Sequence, residues 1–84
     1  MAPNGPWLVA AFYRFAPLQN LDNLRAELQQ LGGDQGLLGT VLLAAEGVNG
    51  TVCGSVEAVS ALLDRLRLEA GFEALQEKRS WCDQ

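Results

Sequence analysis

The first apolar stretch of the chain, Trp7-Leu-Val-Ala-Ala-Phe-Tyr-Arg-Phe15, has no three- or four-residue gaps, which predicts a strand rather than a helix. Alternation puts Trp7, Val9, Ala11, Tyr13 and Phe15 on one face and Leu8, Ala10, Phe12 and Arg14 on the other. Both faces are apolar apart from Arg14, so the strand belongs in the middle of its sheet. Ala16-Pro17 ends it, because proline has no N–H for a ladder. From Asn20 the period lengthens. Leu21, Leu24, Leu28 and Leu31 form one stripe, with Asp22, Arg25, Glu27 and Gln29 on the other side. That pattern predicts an amphipathic helix from Leu21 to Leu31, capped by Asn20 and stopped by Gly32-Gly33.

A second strand is predicted over Thr40–Ala45. Glu46-Gly-Val-Asn-Gly50 then reads as a hairpin, with Asn49-Gly50 as its turn-forming dipeptide and Gly47 free to take positive φ. Val48 to Cys53 is the third strand. Ser55 caps a second helix with an apolar face of Val56, Val59, Leu62, Leu63 and Leu66, and Gly71 ends it. The last segment, Phe72 to Trp81, alternates loosely and is expected to be an edge strand protected by its charges. The order β-α-β-β-α-β makes two right-handed crossovers joined by a hairpin. It defines an α+β, ferredoxin-like two-layer sandwich, an antiparallel four-stranded sheet with both helices on one face. Residues 1–6 are expected to be a flexible leader, and residues 7–82 a single domain.

Composition bears on function more than on fold. Eighty-four residues hold one core, and 49% hydrophobic with 19% charged residues is a normal globular balance. No apolar run approaches the ~18 residues of a membrane span, and the start lacks a signal-peptide layout, so a cytoplasmic protein is expected. There is no histidine, which removes Ser-His and Cys-His nucleophile pairs and imidazole metal ligands. Two cysteines cannot build a zinc site, so neither metal nor cofactor is expected. Cys53 and Cys82 are expected to be reduced thiols, Cys53 as a small buried hydrophobe. A net charge of −4 argues against nucleic-acid binding by the domain alone, although a local basic patch stays open. The loop Phe15-Ala-Pro-Leu-Gln-Asn20 has neither the Gly and Arg of an acylphosphatase phosphate loop nor a Cys-x-x-Cys. Strand three likewise lacks the aromatic and basic residues of an RNA-recognition motif.

Three segments together resemble a known family. They are Phe12-Tyr13-Arg14-Phe15, then Val41-Leu-Leu-Ala-Ala-Glu46-Gly-Val-Asn49-Gly50-Thr51, then the helix with Leu62-Leu63. About residues 8 to 80 are similar to the N-terminal domain of the rhodanese-related tRNA uridine hydroxylases. Ala-Glu-Gly-Val-Asn-Gly is the most specific element. In that family an acylphosphatase-like domain precedes a rhodanese domain that carries the catalytic cysteine, and some members bear the older label of sulfurtransferase. The resemblance implies a non-catalytic module, excised from an enzyme that uses oxygen to convert the wobble uridine of certain tRNAs to 5-hydroxyuridine. Neither Cys53 nor Cys82 matches the family's catalytic cysteine. The rhodanese domain of the same parent chain is the implied partner, with tRNA a second.

The contact residues that follow from this reading are Arg14, Glu46, Asn49, Lys78 and Arg79. Glu46 and Asn49 either touch tRNA or the rhodanese domain, or serve the turn itself, and the turn reading is preferred. Arg14, Lys78 and Arg79 would form a basic patch if strand four lies beside strand one; a solvated edge is the simpler alternative. Trp7, Tyr13, Phe15 and Trp81 allow a base-stacking platform, with core or interdomain packing preferred. A small-ligand or protein-interaction module unrelated to RNA is the competing function.

Overall fold

The computed structural model describes residues 7–82, and the expected leader at residues 1–6 lies outside them. Strand β1 spans Trp7–Phe15, helix α1 Leu21–Gln35, β2 Leu38–Ala44, β3 Gly47–Gly54, α2 Val56–Arg67 and β4 Gln76–Cys82. The four strands form one antiparallel sheet in the order β2-β3-β1-β4, so β1 is central as its two apolar faces required. Both crossovers place their helix on the same side, which is the ferredoxin-like sandwich.

The core lies between the sheet and the helices. Leu8, Ala10 and Phe12 of β1 and Val48 and Val52 of β3 meet Leu24 and Leu28 of α1 and Val59, Leu62, Leu63 and Leu66 of α2. Phe72 and Leu75, buried in the turn after α2, close its end. Ser55 caps α2 as expected, its Oγ accepting the Ala58 N–H at 3.1 Å.

Four local expectations are corrected. Helix α1 runs through Gly32-Gly33 and stops at Gly36, which adopts φ 70 so that the Leu37 N–H can reach the Gly32 carbonyl at 2.9 Å. Asn20 holds the N-cap position in left-handed geometry, at φ 56, but its side chain makes no capping bond. Helix α2 ends at Arg67; Gly71, at φ 88, turns the chain later. Strand β4 accordingly starts at Gln76, because Phe72 and Leu75 are used as core plugs rather than strand residues.

The largest correction concerns the hairpin. Ala44 and Gly47 are its closing pair, so Ala45-Glu46 is the turn and Asn49-Gly50 lies within β3. Gly47 does take a positive φ, at 154, and a Cβ there would stand 2.3 Å from the Arg14 carbonyl oxygen. Gly50 is needed for packing instead: a Cβ would stand 2.9 Å from Phe12 Cζ.

Candidate functional site

The helices cover one face of the sheet and leave the other open. Cross-strand register defines that open face in rows. Leu42, Asn49, Tyr13 and Gln76 lie side by side across the four strands, and Thr40, Thr51, Ala11 and Lys78 form the next row. Ala44, Gly47 and Phe15 make a third row beside the hairpin turn. The second and first rows border a shallow depression of about 560 Å³. Tyr13 is 51%, Leu42 58% and Phe15 72% exposed, and Leu38 is exposed further along β2. The Tyr13 and Phe15 rings are tilted neighbours with centroids 5.9 Å apart. Core packing of Trp7, Tyr13, Phe15 and Trp81 is therefore overturned. Trp7 is half-buried and the other three are exposed, while Phe12 and Phe72 are the aromatic residues of the core.

Asn49 stands in the middle of this face, between Tyr13 and Leu42, with its side chain exposed. Glu46 is exposed in the turn beyond it, where its carbonyl accepts the Ala16 N–H at 3.0 Å. The Ala45 carbonyl accepts from Leu18 N–H at 2.9 Å, so the hairpin tip is tied by its backbone to the segment after β1. Cys53 is half-buried on the open face rather than in the core. It pairs with β1 on the side away from β4, two strand spacings of ~4.8 Å from the strand of Cys82, beyond disulfide reach.

The three candidate cations do not share a surface. Strand β4 does lie beside β1, but Lys78 pairs with Ala11 and Arg79 with Ala10, so their side chains leave opposite faces of the sheet. Arg14 is on the helix side, its Nε donating to the Gly71 carbonyl at 2.9 Å. Arg79 and Arg67 both bind the Glu77 carboxylate. The Arg79 bond, then that of Arg67, holds the Glu77 carboxyl below the usual carboxylate range despite partial burial, and Glu77 raises the Arg79 guanidinium in turn. Arg65 clamps Glu27 of α1 at 2.8 Å and Glu69 at 2.7 Å, which lowers the Glu27 carboxyl and raises the guanidinium. Arg25 lies 3.4 Å from Asp22. Among the described residues, the open face carries one cation, Lys78.

What this arrangement can do chemically is adhere. It combines apolar rings and leucines with the amide of Asn49, two threonine hydroxyls and one ammonium on an uncovered sheet. Sequence reasoning missed Leu38 and Leu42 as part of it. The signal was present in β2, where alternation separates Leu38, Thr40, Leu42 and Ala44 from Val41 and Leu43. Among the described residues no helix is long and apolar enough to cross a membrane.

Comparison with known proteins gives a consistent result. The UPF0176 acylphosphatase like domain matches residues 7–84. A protein of Teredinibacter turnerae named tRNA uridine(34) hydroxylase is 49% identical over 74 residues, 88% of this chain and 23% of its own length. Proteins of the same name from Agrobacterium fabrum and Brucella ovis are 47% and 53% identical over 92% and 82% of the chain, which spans 24% and 23% of their lengths. The chain thus spans about a quarter of the length of the curated relatives it matches.

Proposed function

The chain belongs to the UPF0176 acylphosphatase-like domain family, and from that premise we propose that it is a non-catalytic module of a tRNA uridine hydroxylase. Its task is to hold the rest of the enzyme, including a rhodanese domain, against the open face of its sheet. One observation carries this reading: Tyr13, Phe15, Leu38 and Leu42 are all exposed on the one uncovered face of the sheet, with Asn49 and Thr40 set among them, on a domain a quarter the length of its relatives. Large apolar side chains gathered on one exposed face and interspersed with polar groups favour an interaction site. The distribution of charge favours a protein partner over RNA. Arg65, Arg67 and Arg79 are bound to carboxylates, Arg14 is committed to a carbonyl, and the net charge is −4. The parent enzyme, acting on tRNA, would work in the cytoplasm.

Direct contact with tRNA is the second reading, favoured by the adjacent Tyr13 and Phe15 rings with Lys78 on the same face. Backbone amide shifts of the isotope-labelled 84-residue chain separate the two. Adding the remaining polypeptide of a relative should move Tyr13, Phe15, Leu42 and Asn49, with little dependence on salt. Salt-sensitive shifts around Lys78 on adding unmodified tRNA, with none on adding the polypeptide, would replace docking by tRNA contact. Silence in both titrations would refute both readings.

A further inference from the structure

The two edges of the sheet are built differently. Strand β4 carries Glu77, Lys78 and Arg79, charges of the kind that keep an edge from pairing with another chain. Strand β2, Leu-Gly-Thr-Val-Leu-Leu-Ala, has none, and neither a charged residue nor a proline occurs from Gln35 to Ala45. Its outer side has no strand beside it among the described residues. Next to this edge, a groove of about 410 Å³ separates α1 from β2, with Leu28, Leu37, Val41 and Leu43 along it. Gly32 and Gly33 form part of the α1 wall, and a Cβ at Gly33 would meet nothing within 4 Å. Helix interiors disfavour glycine, and Gly36 already supplies the stop. The pair leaves a bare stretch of helix where another helix can come close.

We propose that the β2 edge pairs with the β2 edge of a second copy of this chain about a two-fold axis. The two four-stranded sheets become one, and the two α1 helices meet above the seam at Gly32-Gly33. The strand is complementary to itself. Antiparallel pairing centred on Val41 sets Leu38 opposite Ala44, Gly39 opposite Leu43 and Thr40 opposite Leu42, a larger side chain against a smaller one each time. Two chains of net charge −4 repel each other least across a surface free of charge, which Gln35 to Ala45 supplies. A lone added strand would pair with the β2 edge but would make no use of the bare helix. A second copy brings a helix with its strand. The interface goes beyond the docking role and leaves Tyr13 and Phe15 uncovered.

Sedimentation of the chain across a wide concentration range, with hydrogen exchange of the β2 amides, tests this. The mass should rise from 9.0 kDa toward twice that value, and outward-pointing β2 amides should become protected in step. Leu42→Lys introduces charge at the seam, and Gly33→Leu fills space that is empty in the monomer. Each should raise the dissociation constant by roughly tenfold or more, as overpacking of a close-packed contact does. The circular dichroism of both variants should stay that of the folded chain. A monomer at every concentration overturns the proposal, and so does a dimer whose β2 amides exchange freely or that tolerates Gly33→Leu. Protection of β2 only on adding the remaining polypeptide of a relative would assign the edge to a strand of that polypeptide and also overturns it.

Discussion

Gly50 and Gly33 are chemically the same change waiting to be made, yet the structure predicts opposite signs for it. A methyl group at Gly50 would stand 2.4 Å from the Thr40 carbonyl oxygen, 2.9 Å from Phe12 Cζ and 3.0 Å from Val41 Cα. Carbon atoms rest at ~3.5–4.0 Å, so all three contacts are deep inside the repulsive wall. Two of them are backbone atoms of β2, held by the ladder, and the third belongs to a ring only 3% exposed. Overpacking of this kind costs ~1–3 kcal/mol, and the immovable backbone puts Gly50→Ala at the upper end. The stiffer unfolded chain returns ~0.4–1 kcal/mol, leaving a net loss of about 2 kcal/mol. For a domain this small, that lowers Tm by roughly 8–16 °C. Gly33→Ala meets nothing within 4 Å and lies in a helix, so it should gain ~0.5–1 kcal/mol and raise Tm by roughly 2–8 °C. Thermal and urea unfolding followed by circular dichroism, at concentrations that keep the chain monomeric, measure both. A Gly50→Ala chain as stable as its parent would refute the argument that this Asn-Gly serves packing rather than a turn.

The two helix starts should respond unequally in urea unfolding. Ser55→Ala removes a real cap and should cost about 1 kcal/mol, whereas Asn20→Gly, with no capping bond to lose and φ 56 to relieve, should stay within a few tenths; equal losses would contradict the cap geometry. Glu27 and Glu77 bind protons less readily folded than unfolded. Their contribution is therefore complete above the ordinary glutamate range of ~4.3 and is lost as pH falls through their lowered values. Arg65→Met should accordingly flatten the acid limb of the stability curve, and an unchanged limb would discount the Glu27 pair. Phe72→Ala should cost ~3–5 kcal/mol, enough to unfold much of a domain this size. Phe15→Ser, at a residue 72% exposed, should change stability by less than ~0.5 kcal/mol while weakening capture of the remaining polypeptide.

The architecture was legible because its signals were redundant. Strand β1 matches its expected limits, since an unbroken apolar run met a proline at its end. Ser55 combined capping chemistry with a strong stripe behind it, and both the start of α2 and its cap appear where expected. Glycine misled three times, for one reason. Its freedom marks where a stop can occur, not where one does. Gly32-Gly33 stays helical because Gly36 offers a better cap, Gly71 turns the chain only after Arg67 has closed α2, and Gly50 is glycine for lack of room. The site was less legible because exposure is a tertiary property. Apolar residues on both faces of β1 placed it centrally but could not say that one face stays uncovered. The division of Lys78 from Arg79 was readable from the expected last strand itself, since neighbours along a strand leave opposite faces.

The central position of β1 also sets a timetable. It is the first strand to be synthesised, yet it is sealed on one side only by β4, with Trp7 paired to Cys82 across nearly the whole chain. A ribosome that has released everything up to α2 has therefore made an apolar strand still open along one edge. Contacts so distant in sequence make folding slow relative to local helix formation. Until Gln76 to Cys82 emerges, the nascent chain exposes this apolar strand to chaperones and to other nascent chains.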